Sequence, residues 1–459
     1  MSDRPLLQWK SVYFEAELYK AAIRVYSKPL FHWRKALGRS TDGRTLYDFA
    51  EHGLRGLDAI HRSLQRQSFE FRPSLALKYN FNGKRRTLYI PPWEERIVDL
   101  LLYRILNFNL DRWFSPNSYA YRDRLFGLDR CQTSIARTLR SHSGSMYVLK
   151  RDISNFFPSI NHELLIESIA SLVDRNDYLF RLIEQRVHFL YRESEELVRA
   201  TVGVPFGCAS ACVLANIYLT QLDRALEACA PHSRFFRYAD DVLVLCQSPE
   251  SATACEQTIQ CTLNVLGLQS KSSQQANFVM RTSVIHSGFE QAHEFRHLGL
   301  LFRADGGVAL SRDKTRKIQN LFRFAFRRRR RQWKPVRVPE ERARLLSAIA
   351  AEVVGNSVRN VAILDYYLKH VDAEEQLRIL DRWLAEEVLS LSFGGHKKGH
   401  FRRITFAQLR EMGLPSLAHR RRMIRNGKID SPFFVWQREK STRAFKGTAA
   451  RLVRSANAS

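Results

Sequence analysis

Three aspartates lie at places in the sequence where carboxylates are costly to bury. Asp152 ends an apolar run that starts at Met146, and Asp240 and Asp241 are adjacent between two apolar arms. Neighbouring carboxylates repel each other and are expensive to desolvate unless a cation neutralises them. Two hard divalent cations about 3.5 to 4 Å apart can clamp the attacking and leaving oxygens of a phosphoryl transfer. The alternative is a solvated turn at the acid pair and a helix N-cap at Asp152.

Strands and helices alternate around these acids. The run ending at Asp152 predicts a strand, and residues 234–246 predict a hairpin with the acid pair at its turn. Asn82-Gly83, between two aromatic or β-branched arms, predicts an earlier hairpin. Four helices are predicted, from about Asn161 with that residue as N-cap, over roughly 176–191, over 209–229 and over 250–266. The alternation over residues 145–310 is typical of an α/β or α+β fold, whereas the chain beyond 310 is almost entirely helical.

The charge of the chain is strongly positive, and most of the excess lies in the last third. The whole sequence has 73 Lys and Arg against 46 Asp and Glu, a net charge of +27, and residues 301–459 hold 35 against 15, or +20. Such a concentration favours a polyanionic partner. No apolar run is long enough to span a membrane and the start lacks the apolar core of a signal peptide, so we expect a cytoplasmic protein without a membrane partner.

The seven cysteines are an odd number and include no Cys-x-x-Cys pair. We therefore expect reduced thiols, with neither a disulfide framework nor a zinc site.

A series of motifs in a fixed order resembles the reverse transcriptases of bacterial retroelements, which are related to group II intron enzymes. The centre of the resemblance is Tyr238-Ala-Asp-Asp241 within its apolar hairpin. The other matching segments are Gly83 to Pro91, Phe114 to Arg122, Arg151 to Ile160, Gly203 to Gly207, Ser210, Leu214 to Leu219, and His297 to Phe302.

The resemblance implies an α+β fold of the right-hand polymerase type. It implies an N-terminal helical region and fingers over residues 1–145, a palm with an antiparallel sheet and the catalytic motifs over 146–310, and a basic helical thumb with a C-terminal RNA-binding region over 311–459.

The resemblance also implies an active site with two Mg²⁺ ions, which Mn²⁺ is expected to be able to replace. Asp152 and Asp240 would be the main ligands, the Ile153 carbonyl would assist, and Asp241 would complete the acidic site. Arg86 and Arg122 would contact the incoming triphosphate or the template, with Lys84 beside them.

Two phenylalanines bear on the choice of nucleotide. By the resemblance, the ring of Phe157 would lie under the sugar and leave no room for a 2′-hydroxyl, so the substrate would be a dNTP; core packing is the alternative, and we expect it for Phe156. Phe206 stands where the family usually has glutamine in Pro-Gln-Gly, so nucleotide selection is expected to differ. Two further departures are Ala211 in place of the proline of Ser-Pro and a displaced lysine, for which Lys271 is the nearest candidate.

The subgroup is inferred by elimination. The sequence has neither the Val-Thr-Gly thumb signature nor the Asn-Ala-x-x-His element of retron enzymes, and no Cys/His nuclease segment after the thumb. It is most similar to the stand-alone reverse transcriptases associated with phage defence.

Clusters of arginine and aromatic residues in the last third are typical of RNA binding, because guanidinium groups match phosphates and aromatic faces stack on unpaired bases. A solvated helix face is the alternative. His396 and His400 have no third ligand nearby and are not expected to bind a metal. The predicted RNA-binding residues are Arg327, Arg328, Arg329, Arg330, Arg331, Trp333, Arg420, Arg421 and Arg422, and the resemblance places the primer grip at Leu298 and Gly299.

These observations predict an RNA-directed DNA polymerase that copies a dedicated structured RNA in antiphage defence. Its partners would be that RNA template, a DNA or RNA primer or the cDNA product, and dNTPs; an oligomer is compatible with the sequence. The alternatives are template-independent or protein-primed DNA synthesis, which Phe206 favours, and a non-catalytic, maturase-like RNA-binding protein.

Overall fold

The chain folds as two units, which a computed structural model describes over residues 6–428 except 30–31, 52, 82–83, 123–125, 230–231, 273–274, 283, 285–286 and 356–359. The first unit comprises residues 1–131 and 144–291, and the second comprises 132–143 and 292–459. The expected boundary near residue 310 lies inside the second unit. The division into fingers, palm and thumb stays a prediction.

The central sheet of the first unit has five strands in the order β6-β7-β3-β8-β9. Neighbours are antiparallel except for β8 and β9. Strands β3 and β7 are almost entirely buried, because both faces of the sheet centre are covered. The bounds are β3 Met146–Asp152, β6 Ser233–Tyr238, β7 Asp241–Cys246, β8 Ala276–Met280 and β9 Glu290–Gln291.

A second sheet of the first unit has the order β2-β1-β4-β5. The antiparallel pairing of β1 with β2 confirms the predicted hairpin, whose turn residues Asn82 and Gly83 lie outside the described residues. The hairpin of β4 and β5, which extends this sheet by a parallel pairing of β1 with β4, is not predicted from the sequence. The bounds are β1 Ser74–Phe81, β2 Lys84–Ile90, β4 Leu190–Glu193 and β5 Glu196–Arg199.

Helices of the first unit begin at local signals in the sequence. Asn161 accepts a hydrogen bond from the Leu164 amide and so caps α8 as predicted, and Ser248 caps α12, whose first residue is Pro249. The helices are α1 Trp9–Val12, α2 Glu15–Ser27, α3 His32–Leu37, α4 Leu46–Glu51, α5 Gly53–Gln65, α6 Trp93–Leu110, α8 His162–Ala170, α9 Tyr178–Val187, α10 Ser210–Tyr218, α11 Thr220–Cys229 and α12 Pro249–Val265.

The helix predicted over residues 209–229 is in fact two helices. The chain leaves helical geometry at Leu219, between α10 and α11, so the prediction of one continuous helix is wrong. The buried positions continue from the apolar α10 into the more polar α11, so periodicity alone does not reveal the break. Their buried faces pack into one hydrophobic core with α6, α8 and the central sheet.

The second unit joins a three-stranded antiparallel sheet, β10-β11-β12, to a set of helices. The helix α7 spans Leu128–Arg140, and its residues from Gln132 on belong to this unit. The strands are β10 Glu294–His297, β11 Leu300–Arg303 and β12 Val308–Leu310. The remaining helices are α13 Arg312–Arg328, α14 Arg330–Trp333, α15 Pro339–Gly355, α16 Asn360–His370, α17 Glu374–Phe393, α18 Phe406–Glu411 and α19 Leu417–Arg425.

Candidate active site

The central sheet brings the three predicted carboxylates to one end. Asp152, the last residue of β3, is paired in register with Asp241, the first residue of β7. Asp240 precedes it in the turn from β6, and its carbonyl accepts a hydrogen bond of 3.1 Å from the Ile153 amide. Residues directly opposite each other on antiparallel strands point to the same face. The acidic pair and Asp152 therefore share one site, as the sequence predicts.

Electrostatic crowding at this end of the sheet is visible in the pKa of Asp241. Burial, together with the charges of Asp152 and Asp240, raises the pKa of the Asp241 carboxyl to about 6, whereas Lys150 opposes the shift. Three acids without a counterion would repel each other in this half-buried place. The arrangement thus favours a bound cation.

The donors present fit a hard divalent cation in chemical type. Carboxylate oxygens are the preferred ligands of Mg²⁺. The two hydrogen bonds that tie this segment to residues 269–271 involve the Asp152 carbonyl and the Ser154 amide, not the Ile153 carbonyl. The ammonium group of Lys271 lies 3.9 Å from the Asp152 carboxylate. Within the part of the chain that the structure describes, no group of three or more His, Cys, Asp or Glu side chains, the three acids included, is already arranged to hold a metal ion.

A buried ion pair that sequence reasoning missed supports the turn at Asp240. Both oxygens of Asp223 on α11 accept hydrogen bonds of 2.6 Å from Arg237 on β6, and both residues are fully buried. The same guanidinium donates to the carbonyl of Ala239, whose φ is +59°. The available signal is a charged residue in the apolar run before the acid pair, together with Asp223 in an apolar helix.

Three aromatic rings form a wall beside the acids. Phe157 stands edge-on to Tyr121, with 6.2 Å between ring centroids, and edge-on to Phe206, with 5.7 Å. Burial raises the pKa of the Tyr121 phenol, as do Cys212 and Asp240, whereas Arg86 lowers it, so the wall adjoins both Asp240 and Arg86. Phe157 remains half-buried, while Phe156 is core, as predicted.

The predicted basic residues of the first unit fall into different environments. Arg86 on β2 is exposed, with its guanidinium carbon 5.3 Å from the Phe206 ring centroid. Lys84 begins the same strand, but its side chain lies outside what the structure describes.

Arg122 is a structural residue in this fold, in contrast to its predicted contact with nucleotide or template. Its side chain is only 2% exposed and pairs with Asp111 at 3.0 Å. It also donates to the carbonyls of Asp111, Ser115 and Ser118 and lies over the Phe126 ring. A guanidinium satisfied in this way is not available to a ligand. The sequence shows the arginine but not the carbonyls that surround it.

The predicted primer grip is a tight turn in the second unit. Leu298 and Gly299 connect β10 to β11 with φ values of +47° and +81°. The Leu298 carbonyl accepts a hydrogen bond from Gln132, and the Gly299 carbonyl accepts one from Ser311.

The structure divides the predicted RNA-binding residues into an exposed set and a set whose side chains have partners within the fold. Arg327, Arg328, Arg330, Arg331 and Arg422 are exposed. The other four are held within the fold: Arg329 pairs with Glu352, Arg420 with Asp365, and Arg421 with the carbonyl of Val371, while Trp333 is buried and donates to the carbonyl of Phe326.

One aromatic residue replaces Trp333 as the candidate for base stacking. Phe324 on α13 is 64% exposed, whereas Phe322 and Phe326 on the same helix are buried. Five exposed residues recur at helical spacing: Lys317, Asn320, Phe324, Arg327 and Arg328. We call these residues, together with the exposed Arg331, the basic stripe. The sequence contained the alternation of buried and exposed phenylalanines but did not show which face is covered.

No helix among the described residues combines the length and the apolar character needed to cross a membrane.

Comparison with known proteins places the acids and the aromatic wall inside one family match. Residues 77–302 match the family described as "Reverse transcriptase (RNA-dependent DNA polymerase)". The chain is 24% identical over 196 residues to the retron Ec83 reverse transcriptase of Escherichia coli, which covers 42% of this chain and 59% of the relative. It is 26% identical over 141 residues to the group II intron-encoded protein LtrA of Lactococcus lactis, covering 31% and 23% of the two chains.

Two further comparisons concern an intron protein and a telomerase. An uncharacterized 91 kDa protein in the cob intron of Schizosaccharomyces pombe is 26% identical over 172 residues, which are 37% of this chain and 21% of the relative. Apo telomerase from Candida tropicalis superposes with a TM-score of 0.44 at 10% identity, covering 76% of this chain and 62% of that one. The chain spans less than two thirds of the length of each relative named. Over residues 77–302 it is a reverse transcriptase domain of the retroelement type.

Proposed function

We propose that the chain is an RNA-directed DNA polymerase that adds dNTPs to a primer with the aid of two Mg²⁺ ions. The observation that carries this proposal is the meeting of Asp152, Asp240 and Asp241 at one end of the central sheet, inside the matched domain. Carboxylates crowded in this way suit an in-line displacement at a triphosphate. Mn²⁺ is expected to support the same reaction.

Each residue of the acidic site has a separate role in the proposal. Asp152 and Asp240 hold the metal ions with help from the Ile153 carbonyl, and Asp241 completes the negative site. When bound, the ions stabilise the charge that develops on the attacking and leaving oxygens. Lys271, 3.9 Å from Asp152, adds a positive charge that favours an anionic substrate.

The aromatic wall and Arg86 make the nucleotide pocket. The half-buried ring of Phe157 faces the sugar and excludes a 2′-hydroxyl, which makes dNTPs the substrate. Arg86, exposed above Phe206, contacts the triphosphate, and Lys84 lies at the start of the same strand. Arg122 is left out, because its guanidinium is satisfied within the fold.

The basic stripe binds RNA in this proposal. Its arginines and lysine are exposed around an exposed phenylalanine, which suits phosphates together with unpaired bases. Leu298 and Gly299 hold the primer strand. The template is a dedicated structured RNA, and the biological role is antiphage defence; this role depends on the sequence resemblance alone.

The test is cDNA synthesis by the purified full-length chain. Given Mg²⁺ and dNTPs, the protein is expected to extend a DNA primer on an RNA template and to make a cDNA whose sequence matches copurifying RNA. EDTA should stop the reaction. Products that match no template would favour template-independent or protein-primed synthesis, and RNA binding without any product would favour a non-catalytic scaffold.

A further inference from the structure

The loop Gly203–Gly207 connects the two parts of the proposed nucleotide pocket. At its first end, the Val204 amide donates a hydrogen bond of 3.0 Å to the carbonyl of Phe157. A Cβ at Gly203 would lie 2.9 Å from the Pro158 backbone, so the two segments touch as closely as their backbones allow. This end of the loop is therefore fixed against the residue that faces the sugar.

The other end of the loop is fixed against strand β2. The Tyr89 amide donates a hydrogen bond of 2.9 Å to the carbonyl of Phe206. Gly207 has a φ of +106°, and a Cβ there would lie 2.5 Å from a methyl carbon of Leu88. Arg86 belongs to the same strand and, two residues before Leu88, points to the same face of it.

The ring of Phe206 lies between these two ends and contacts both partners. It is edge-on to Phe157 at 5.7 Å and has the Arg86 guanidinium 5.3 Å from its centroid. A guanidinium over an aromatic face is attracted by the ring, whereas a glutamine or leucine at this place would not supply that attraction. The ring thus favours a position of the exposed Arg86 guanidinium next to Phe206.

We propose that Phe206 is a positioning residue that sets the Arg86 guanidinium relative to the Phe157 ring. The inference rests on the proposed polymerase function and deepens it. Phe206 acts on the substrate through its two neighbours. It sets the distance between the Arg86 guanidinium, which contacts the triphosphate, and the Phe157 ring, which faces the sugar. Nucleotide binding and sugar selection are therefore coupled through the Phe206 ring. The family usually has a glutamine amide at this position.

The experiment compares variants that keep or remove the ring. Phe206→Tyr keeps the aromatic face, Phe206→Leu removes it at similar bulk, and Phe206→Gln introduces the residue usual in the family. Steady-state kcat and KM are measured for a dNTP and the matching rNTP on one primer–template. At an exposed site a cation–π contact of about 0.5 to 1 kcal/mol corresponds to a change of about 2- to 5-fold. We expect KM for the dNTP to rise by that factor in Phe206→Leu and Phe206→Gln, with kcat nearly unchanged, and Phe206→Tyr to match wild type.

A double-mutant cycle tests whether Phe206 acts through Arg86. Phe206→Leu should add little to the KM of Arg86→Gln, because the guanidinium it places is gone. Arg85→Gln is the matched control: it removes the same charge from the neighbouring position, which points to the opposite face of β2 and pairs with Asn80. Thermal unfolding of every variant separates loss of fold from loss of position.

The outcomes separate the inference from the function it rests on. Wild-type protein that extends no primer would overturn both. Wild-type extension with the same KM for Phe206→Leu, Phe206→Gln and Phe206→Tyr would overturn the positioning role alone. Additive effects of Phe206→Leu and Arg86→Gln would also overturn it, because independent contributions mean that the ring does not place the guanidinium.

Discussion

Asp152 and Asp241 lie directly opposite each other on the neighbouring strands β3 and β7. Like charges in such a pair destabilise a sheet, and a third acid, Asp240, directly precedes Asp241 in the chain. Burial and repulsion from Asp152 and Asp240 raise the pKa of the Asp241 carboxyl. The proposed binding of divalent cations would offset this repulsion.

The buried pair of Arg237 and Asp223 should be essential for stability. Arg237→Met leaves a buried carboxylate without its partner, so we expect the free energy of unfolding to fall by about 3 to 5 kcal/mol. Urea denaturation followed by circular dichroism measures it. Arg234→Met, at an exposed arginine of the same strand, is the control and should change it by less than about 1 kcal/mol.

The same pair allows a rescue that distinguishes charge from packing. Because the cost arises from an unpaired buried charge, adding Asp223→Leu to Arg237→Met should recover much of the lost stability. Equal stability of the single and double variants would show that packing, and not the unpaired carboxylate, is responsible.

Phe157 should control the choice between dNTP and rNTP. Phe157→Val makes room for a 2′-hydroxyl, so the ratio of kcat/KM for dNTP over rNTP should fall by at least about tenfold, at some cost in dNTP use. Incorporation of single nucleotides on a fixed primer–template gives this ratio. An unchanged ratio would mean that the ring serves the packing of the wall alone.

The arginines of the basic stripe should contribute to RNA affinity through phosphates. Changing Arg327, Arg328 and Arg331 together to Gln should weaken RNA binding. Each phosphate that is no longer neutralised should flatten the slope of log K against log salt by about 0.7 to 0.9, so the triple variant should flatten it by roughly 2 to 3. Arg329→Gln is the control, because that side chain is already paired with Glu352. A wild-type slope in the triple variant would identify the stripe as a solvated face.

Phe324 should contribute to RNA binding in a different way. Stacking on an unpaired base is worth about 1 to 3 kcal/mol and releases no counterions, so Phe324→Ala should weaken binding of single-stranded RNA at every salt concentration without changing the slope. Trp333→Phe, at a buried ring, should leave affinity unchanged. Filter binding over a salt series distinguishes the two effects, and wild-type affinity in Phe324→Ala would contradict the stacking role.

The sequence predicts that the three acids meet because its signals are local. The sequence shows an acid pair between two apolar arms and a third acid at the end of a strand, and the sheet pairs Asp152 with Asp241. Asn161 marks the start of α8 because its own side chain caps the helix. The resemblance to a family then gives the order of the elements around them.

The predictions that failed concern side chains whose partners exist only once the backbone has folded. Arg122 and Trp333 are residue types common at binding sites, but backbone carbonyls in the preceding turns and helix accept their hydrogen bonds. The hairpin of β4 and β5 has no strong turn signal, since Ser194 supplies a positive φ that glycine or asparagine usually provides. The ion pair of Asp223 and Arg237 joins α11 to β6, so it cannot be predicted until the positions of both elements are known.

The most direct measurement of the central claim is primer extension by the Asp240→Asn variant. With Mg²⁺, dNTPs and an RNA template, the wild-type chain should extend the primer, and Asp240→Asn should lose at least about a thousandfold in rate, since each 1.36 kcal/mol of lost transition-state stabilisation is tenfold. RNA affinity and the melting temperature should stay near those of the wild type, which separates chemistry from folding. Extension by Asp240→Asn at close to the wild-type rate would contradict the assignment of the acidic site as the centre of a metal-dependent polymerase.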